Sequence, residues 1–399
     1  MLADIPLVLI LIGIAAYAVL AGADFGAGIW ILLSSRRDEA LREHARHAMG
    51  PVWEANHVWL IFVIVVTWTA YPTVLASVAS TLTIPLFVAA IGIVLRGTAY
   101  ALRAQVETGA VATRVERVLG AASILTPFAL GAAVGGIASG RVPVGNAAGD
   151  MFSSWLNATS ITIGVLSAAT GWYLAAVYLS ADAARLGDEA LVRAFRARAM
   201  VTGAVAGALA FAALIVVHED ARRIWDGLTS GWGLVPLAVS AVAGVATLVM
   251  VQAGRYEAAR VAGAAAVTAV VAGWGVAQRP EMLPGLTIHQ AAAGHATLVA
   301  LLIAVAAGAL LLTPSLALLF RLTLQGRFDP GAAVVVSPEP RSSSPSSARL
   351  AAAGGLLVAG SVLTVLLDST WGLALGVVAL LAFVAVAFTP VALLPERDG

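Results

Sequence analysis

Long apolar runs, broken by short polar or Gly/Pro-containing stretches, set the pattern along the chain. Measured against the roughly 20 residues that cross a hydrocarbon core, they predict spans at 5–34, 54–78, 80–104, 117–139, 156–181, 198–218, 232–252, 258–277, 296–322, 350–367 and 371–394. Only ASVASTLT separates the second span from the third. The pattern changes once, at QGRFDPGAAVVVSPEPRSSSPSSAR (325–349), which reads as a flexible Pro/Ser-rich linker. The chain thus divides into a transmembrane core at 1–324, a linker at 325–349 and an extra helix pair at 350–399. Beyond Asp368 near its turn, that pair carries almost no polar side chain, so it reads as peripheral.

Composition agrees with the pattern. The chain is 60% hydrophobic and 11% charged, against about 25% charged in soluble domains. The expected fold class is an all-α polytopic membrane protein. The 23 basic residues are all arginine, and their placement gives a direction. With the N-terminus outside, eighteen arginines fall in cytoplasmic segments and four in outer ones, with Arg96 inside a span. The positive-inside rule then sets the N-terminus outside and the C-terminus in the cytoplasm. The start, MLADIPLVL, has no basic n-region and reads as a retained first span. A net charge of +1 points to no nucleic-acid partner, and the absence of cysteine excludes disulfides, thiolate metal sites and thiol catalysis.

Ionisable residues inside spans are costly and mark functional positions. Four of them fall at similar depth toward the cytoplasmic ends of three successive spans: Asp24 in AGADFGAGIW, Glu54 and His57 in GPVWEANHVWLIF, and Arg96 in GIVLRGTAY. The plain reading pairs Asp24 with Arg96 and leaves Glu54 as a helix-start carboxylate favoured by the macrodipole. The functional reading is a proton uptake route. Desolvation raises a carboxylate's pKa toward neutrality, where it exchanges protons, and Asn56 and His57 would continue the path. Gly22, Gly26 and Gly28 supply a small-residue face for close helix packing.

Glu54-x-x-His57 also matches half of a di-iron carboxylate motif, but no second half or further in-span glutamate accompanies it. Haem would need axial His or Met near mid-membrane. His44 and His47 fall in a cytoplasmic loop, His218, His289 and His295 at outer ends of spans, and His57 alone lies inside one. No metal is expected in this chain. Tryptophans 53, 59, 68, 155, 172, 225, 232, 274 and 371 mostly lie near span ends as an aromatic belt. No nucleotide-binding or hydrolase motif stands where it could work.

AGADFGAGIW, a short Arg-rich loop, GPVWEANHVWLI and IPLFVAAIGIVLRGTAYALRAQV together resemble the first three helices of subunit II of cytochrome bd-type quinol oxidases. LPGLTIHQAAAGHATL is similar to the family's stretch before its last helix, so the likeness runs over about residues 1–325. The resemblance implies a nine-helix core of two four-helix bundles plus one helix, in a bacterial plasma membrane. It implies a partner, the haem-bearing subunit I, holding b- and d-type haems, the quinol site and the oxygen chemistry. A small single-span subunit also belongs to that picture. This chain would carry no cofactor of its own and would supply protons through Glu54, with His57, Asp24 and Arg96 tuning it. It departs from the family where Glu54 replaces an aspartate, Ala55 a glycine and Ala21 the first aspartate of D-G-F-D. The rival readings are a proton-coupled transporter and a non-catalytic scaffold. Against the transporter, no pair of interrupted spans at matching positions marks a midplane site.

Overall fold

Helices form wherever the apolar runs lie, because backbone groups in hydrocarbon must find their partners within the segment. The computed structural model describes residues 2–34, 38–49, 53–103, 109–324, 347–366 and 370–388. In chain order the elements are α1 (Ile5–Leu33), α2 (Glu39–Met49), α3 (Trp53–Ala70), α4 (Pro72–Thr81), α5 (Thr83–Arg103), α6 (Ala110–Ala138), α7 (Ala158–Arg185), α8 (Glu189–Asp220) and α9 (Arg222–Thr229). There follow α10 (Leu234–Gln252), α11 (Tyr256–Gln278), a hairpin of β1 (Glu281–Leu283) and β2 (Leu286–Thr287), then α12 (Ile288–Ala291), α13 (His295–Leu324), α14 (Ser347–Leu366) and α15 (Thr370–Phe388). Among the described residues, eight helices are long and apolar enough to cross a membrane. Shorter apolar helices at Ala55–Ala70, Ala351–Leu363 and Ala374–Phe383 account for the remaining expected spans.

The chain forms two units, Met1–Leu310 and Leu311–Gly399. In the second, α14 and α15 pack on each other, with Gly360 against Leu380. Residues 325–346 of the expected linker, and Asp368, lie outside the described residues.

In the first unit α1 is central, touching α2, α3, α6, α7 and α11. Its closest approach is to α7. A Cβ at Gly26 would stand 2.0 Å from the Gly171 carbonyl oxygen, and one at Gly171 would stand 2.7 Å from the Gly22 oxygen. Only residues without a Cβ let the two backbones meet, as expected of Gly22 and Gly26; Gly28, expected on the same face, turns instead toward Ser123 of α6.

The helix ends gather on two faces. One is rich in arginine and is tied by Arg185 to Glu257 at 2.7 Å and Arg260 to Asp182 at 2.9 Å. The opposite face carries the hairpin, and there Asp220 accepts two bonds from Arg141 at 2.6 and 3.0 Å and two from Thr159. These bonds fasten the 139–157 loop to the end of α8. Within that loop Asp150 accepts from the amides of Ser153 and Phe152, which hold its carboxyl below the ordinary value.

Three expectations need correction. The span at 54–78 breaks at Tyr71–Pro72, because proline cannot donate to the helical ladder; α3 ends at Ala70 and α4 is a separate short helix. The supposed loop around His44 and His47 is helix α2, which lays Leu41, His44 and Ala45 against the bundle. The helix expected from 117 starts earlier: α6 begins at Ala110, and Glu116, in its second turn, is buried between Arg42 and Arg46 of α2.

The α1–α7 contact generates a test. Gly26→Ala should lower thermal stability in detergent by about 1–3 kcal/mol through overpacking. Gly207, with nothing within 4 Å of its would-be Cβ, is the control: Gly207→Ala should be neutral or slightly stabilising, since alanine is the better helix former. Equal melting shifts in the two variants would contradict the contact.

Candidate functional site

Asp24 lies on the side of α1 turned away from Gly22 and Gly26, two residues from each and so about 200° around the helix. That side faces α3, α5 and α6. Arg96 of α5 brings its Nη2 to 2.6 Å from Asp24 Oδ1, with side chains only 1% and 2% exposed. The same nitrogen donates to the Asp24 backbone carbonyl at 3.2 Å, and Nη1 donates to Ser123 Oγ of α6 at 2.7 Å. Ser123 in turn donates to the Leu119 carbonyl at 2.7 Å. The Phe25 ring covers the guanidinium at 4.6 Å. Gly28 makes the room: a Cβ there would stand 2.2 Å from Ser123 Oγ. One buried cation is thus met by a carboxylate, a carbonyl, a hydroxyl and a ring, which a charge of this burial requires.

The third wall is α3. Asn56, buried, donates to the Leu20 carbonyl at 3.4 Å. His57 packs edge-on against Tyr17 and Phe25, with ring centroids 6.0 and 6.2 Å apart. Both stand beside the Asp24 carboxylate. Glu54 is the second residue of α3, one turn before His57; its side chain lies outside the described residues. The structure therefore assembles Asp24, Arg96 and His57 with Asn56, and adds Tyr17, Phe25 and Ser123.

The family pattern "Cytochrome bd terminal oxidase subunit II" matches residues 2–323, the whole of this arrangement. The chain belongs to that family. A curated relative, the cytochrome bd ubiquinol oxidase subunit 2 of Bacillus subtilis (strain 168), is 27% identical over 128 residues, or 32% of this chain. The match spans 38% of that relative's length. Among solved structures, the bd oxidase from Geobacillus thermodenitrificans has a similar chain, with a TM-score of 0.63 and 26% identity, covering 81% of this chain and 98% of that one. Apolar spans and family agree on a multi-pass membrane protein.

In this subunit II chain, no group of three or more His, Asp or Glu among the described residues could hold a metal ion. His44 Nε2 lies 3.0 Å from the Leu179 carbonyl, and His218 is held between Glu219 and Arg222. Sequence reasoning missed two groupings. Glu116 with Arg42 and Arg46 was hidden because it joins segments far apart in the chain, although Arg42 and Arg46 at i, i+4 signalled one charged helix face. Trp30, buried on α1, lies tilted against Trp172 with centroids 5.1 Å apart, and its hydrophobic neighbourhood gave no separate signal.

Removing one partner of the buried pair strands the other, at about 3–5 kcal/mol. Asp24→Asn and Arg96→Leu should each lower the yield of folded protein, and the double variant should recover part of the loss. Size-exclusion yield from matched membranes checks this; strictly additive losses would show that the pair is not coupled.

Proposed function

We propose that this chain is the haem-free subunit II of a bd-type terminal quinol oxidase, an oxidoreductase whose redox centres lie in a partner. That partner, subunit I, would hold the b- and d-type haems and the quinol. The haems would supply the electron transfer and oxygen reduction. The family match over residues 2–323 carries this reading. The histidines support it: those whose contacts are described point to carbonyls, carboxylates and rings.

The role of this chain would be support and proton supply. Reducing one dioxygen to two waters consumes four electrons and four protons. The arginine-rich face would be cytoplasmic by the positive-inside rule, with both the start of α3 and the C-terminus on that side and the N-terminus outside. Protons drawn from it would make the reaction separate charge across the membrane. Glu54, in the first turn of α3, would accept the proton, and Asn56 and His57 would pass it inward. Asp24 and Arg96 would hold a fixed charge pair beside the path and tune it.

Glu54→Gln keeps shape but cannot exchange a proton. The variant complex should assemble with normal haem content and consume oxygen slowly with quinol, at least ten-fold below wild type, while Glu54→Asp keeps substantial activity. Oxygen uptake normalised to haem measures this, and full activity in the Gln variant would end the proton-path reading. The chain purified alone should show no Soret band, whereas co-expression with a haem-bearing subunit I should bring b and d bands. A Soret band from this chain alone would move a haem into it.

A further inference from the structure

On the arginine-rich face most described arginines that are at all buried meet an acid or a helix-end carbonyl. Arg260 meets Asp182, Arg46 meets Glu116, and Arg196 donates to the Gln252 carbonyl at 2.6 Å. Arg198 is different. It is half-buried, yet among the described residues no carboxylate oxygen lies within 4.0 Å of its guanidinium. Its flat group lies 5.4 Å from the Trp30 ring and 5.8 Å from the Phe195 ring. Nη1 donates to the Ala194 carbonyl of its own helix at 3.0 Å, the one hydrogen bond of this guanidinium among the described residues.

The floor under this cation is fixed. Trp30 donates its Nε1 to the Trp172 carbonyl at 3.3 Å, and Phe195 is fully buried with the His44 ring at 5.6 Å. Aromatic plates hold the guanidinium plane without neutralising it, so its remaining N–H groups keep their capacity for an anion. Planar N–H pairs fit the paired oxygens of a phosphate. The depth narrows the source. Arg196, two residues earlier, reaches the last residue of α10, so Arg198 sits where the spans leave the apolar layer. The phosphate available at that depth is a lipid headgroup. With no carboxylate beside it among the described residues, the Arg198 charge favours a headgroup of net negative charge over one that carries its own cation.

We propose that Arg198, braced on Trp30 and Phe195, binds the headgroup phosphate of an anionic phospholipid. The site does not rest on the oxidase reading, because binding itself is measured. The full-length protein, with whatever subunits it retains, would be stripped of lipid in mild detergent. Native mass spectrometry and thermal unfolding would then follow addition of phosphatidylglycerol, phosphatidylcholine or inorganic phosphate alone. Wild type should retain one more phosphatidylglycerol than Arg198→Gln, whose affinity should fall about five-fold, as for one surface cation. Arg198→Lys, charged but without the planar fork, should fall between, and the exposed Arg114→Gln should match wild type. Equal phosphatidylglycerol binding by Arg198→Gln would overturn the site. Equal binding of phosphatidylcholine by wild type would overturn the anionic preference, and equal stabilisation by phosphate alone would overturn the lipid. Should Arg198→Gln fail to fold, the lysine variant and the lipid comparison in wild type still decide.

Discussion

The backbone contact between α1 and α7 is the constraint from which the first unit is built. In a bilayer, helix association gains little from the hydrophobic effect, because lipid tails are as apolar as leucine; close van der Waals approach must supply it. Gly22, Gly26 and Gly171 remove the side chains that would hold the two helices apart. Pressing one side of α1 onto α7 settles which way the other side looks. Asp24, halfway between the two glycines in sequence, can only face α3, α5 and α6.

A carboxylate so placed needs a cation, and the cation needs more than a carboxylate. Arg96 spends its donors on Asp24, the Asp24 carbonyl and Ser123, tying α5 and α6 to α1. Gly28 repeats the logic of the α7 contact on the α6 side, since any side chain there would collide with Ser123. The small residues of AGADFGAGIW and its single charge are therefore one device. Packing brings the helices close enough for a fully buried ion pair to be satisfied, and the pair penalises any slippage of that packing. The ion pairs at the two faces, Arg185 with Glu257 or Arg141 with Asp220, are more exposed and screened, and contribute less.

Much of this was legible in the sequence because membrane helices leave a long, simple signal. The spans, the small-residue face and the meeting of Asp24 with Arg96 follow from run length, helical spacing and depth. What escaped has a common cause: hydropathy is blind to helices that lie outside the apolar layer. EALREHARHAM is too polar to register as a span, yet Leu41, His44 and Ala45 recur at helical spacing and dock on the bundle. Without α2 the two arginines that cover Glu116 have no place in the pattern, and the apolar run begins one residue after that glutamate. Pro72 is the opposite failure. The apolar run continues through it, but the backbone cannot.

The arginine contacts also sort the carboxylates by what each can do. Protonating an acid clamped by a buried guanidinium leaves that cation uncompensated, which opposes the change. Asp24 faces one arginine and Glu116 two, and each of these contacts ties separate helices together. A group that relays protons must gain and lose charge without dismantling its surroundings. In the proposed path that task falls to α3, which contributes no arginine to the site. On α3, His57 stands beside the Asp24 carboxylate with its ring edge-on to Tyr17 and Phe25. In the proposed path the division of labour would be spatial: α1, α5 and α6 would supply the buried ion pair that fixes the helices, and α3 would supply the relay.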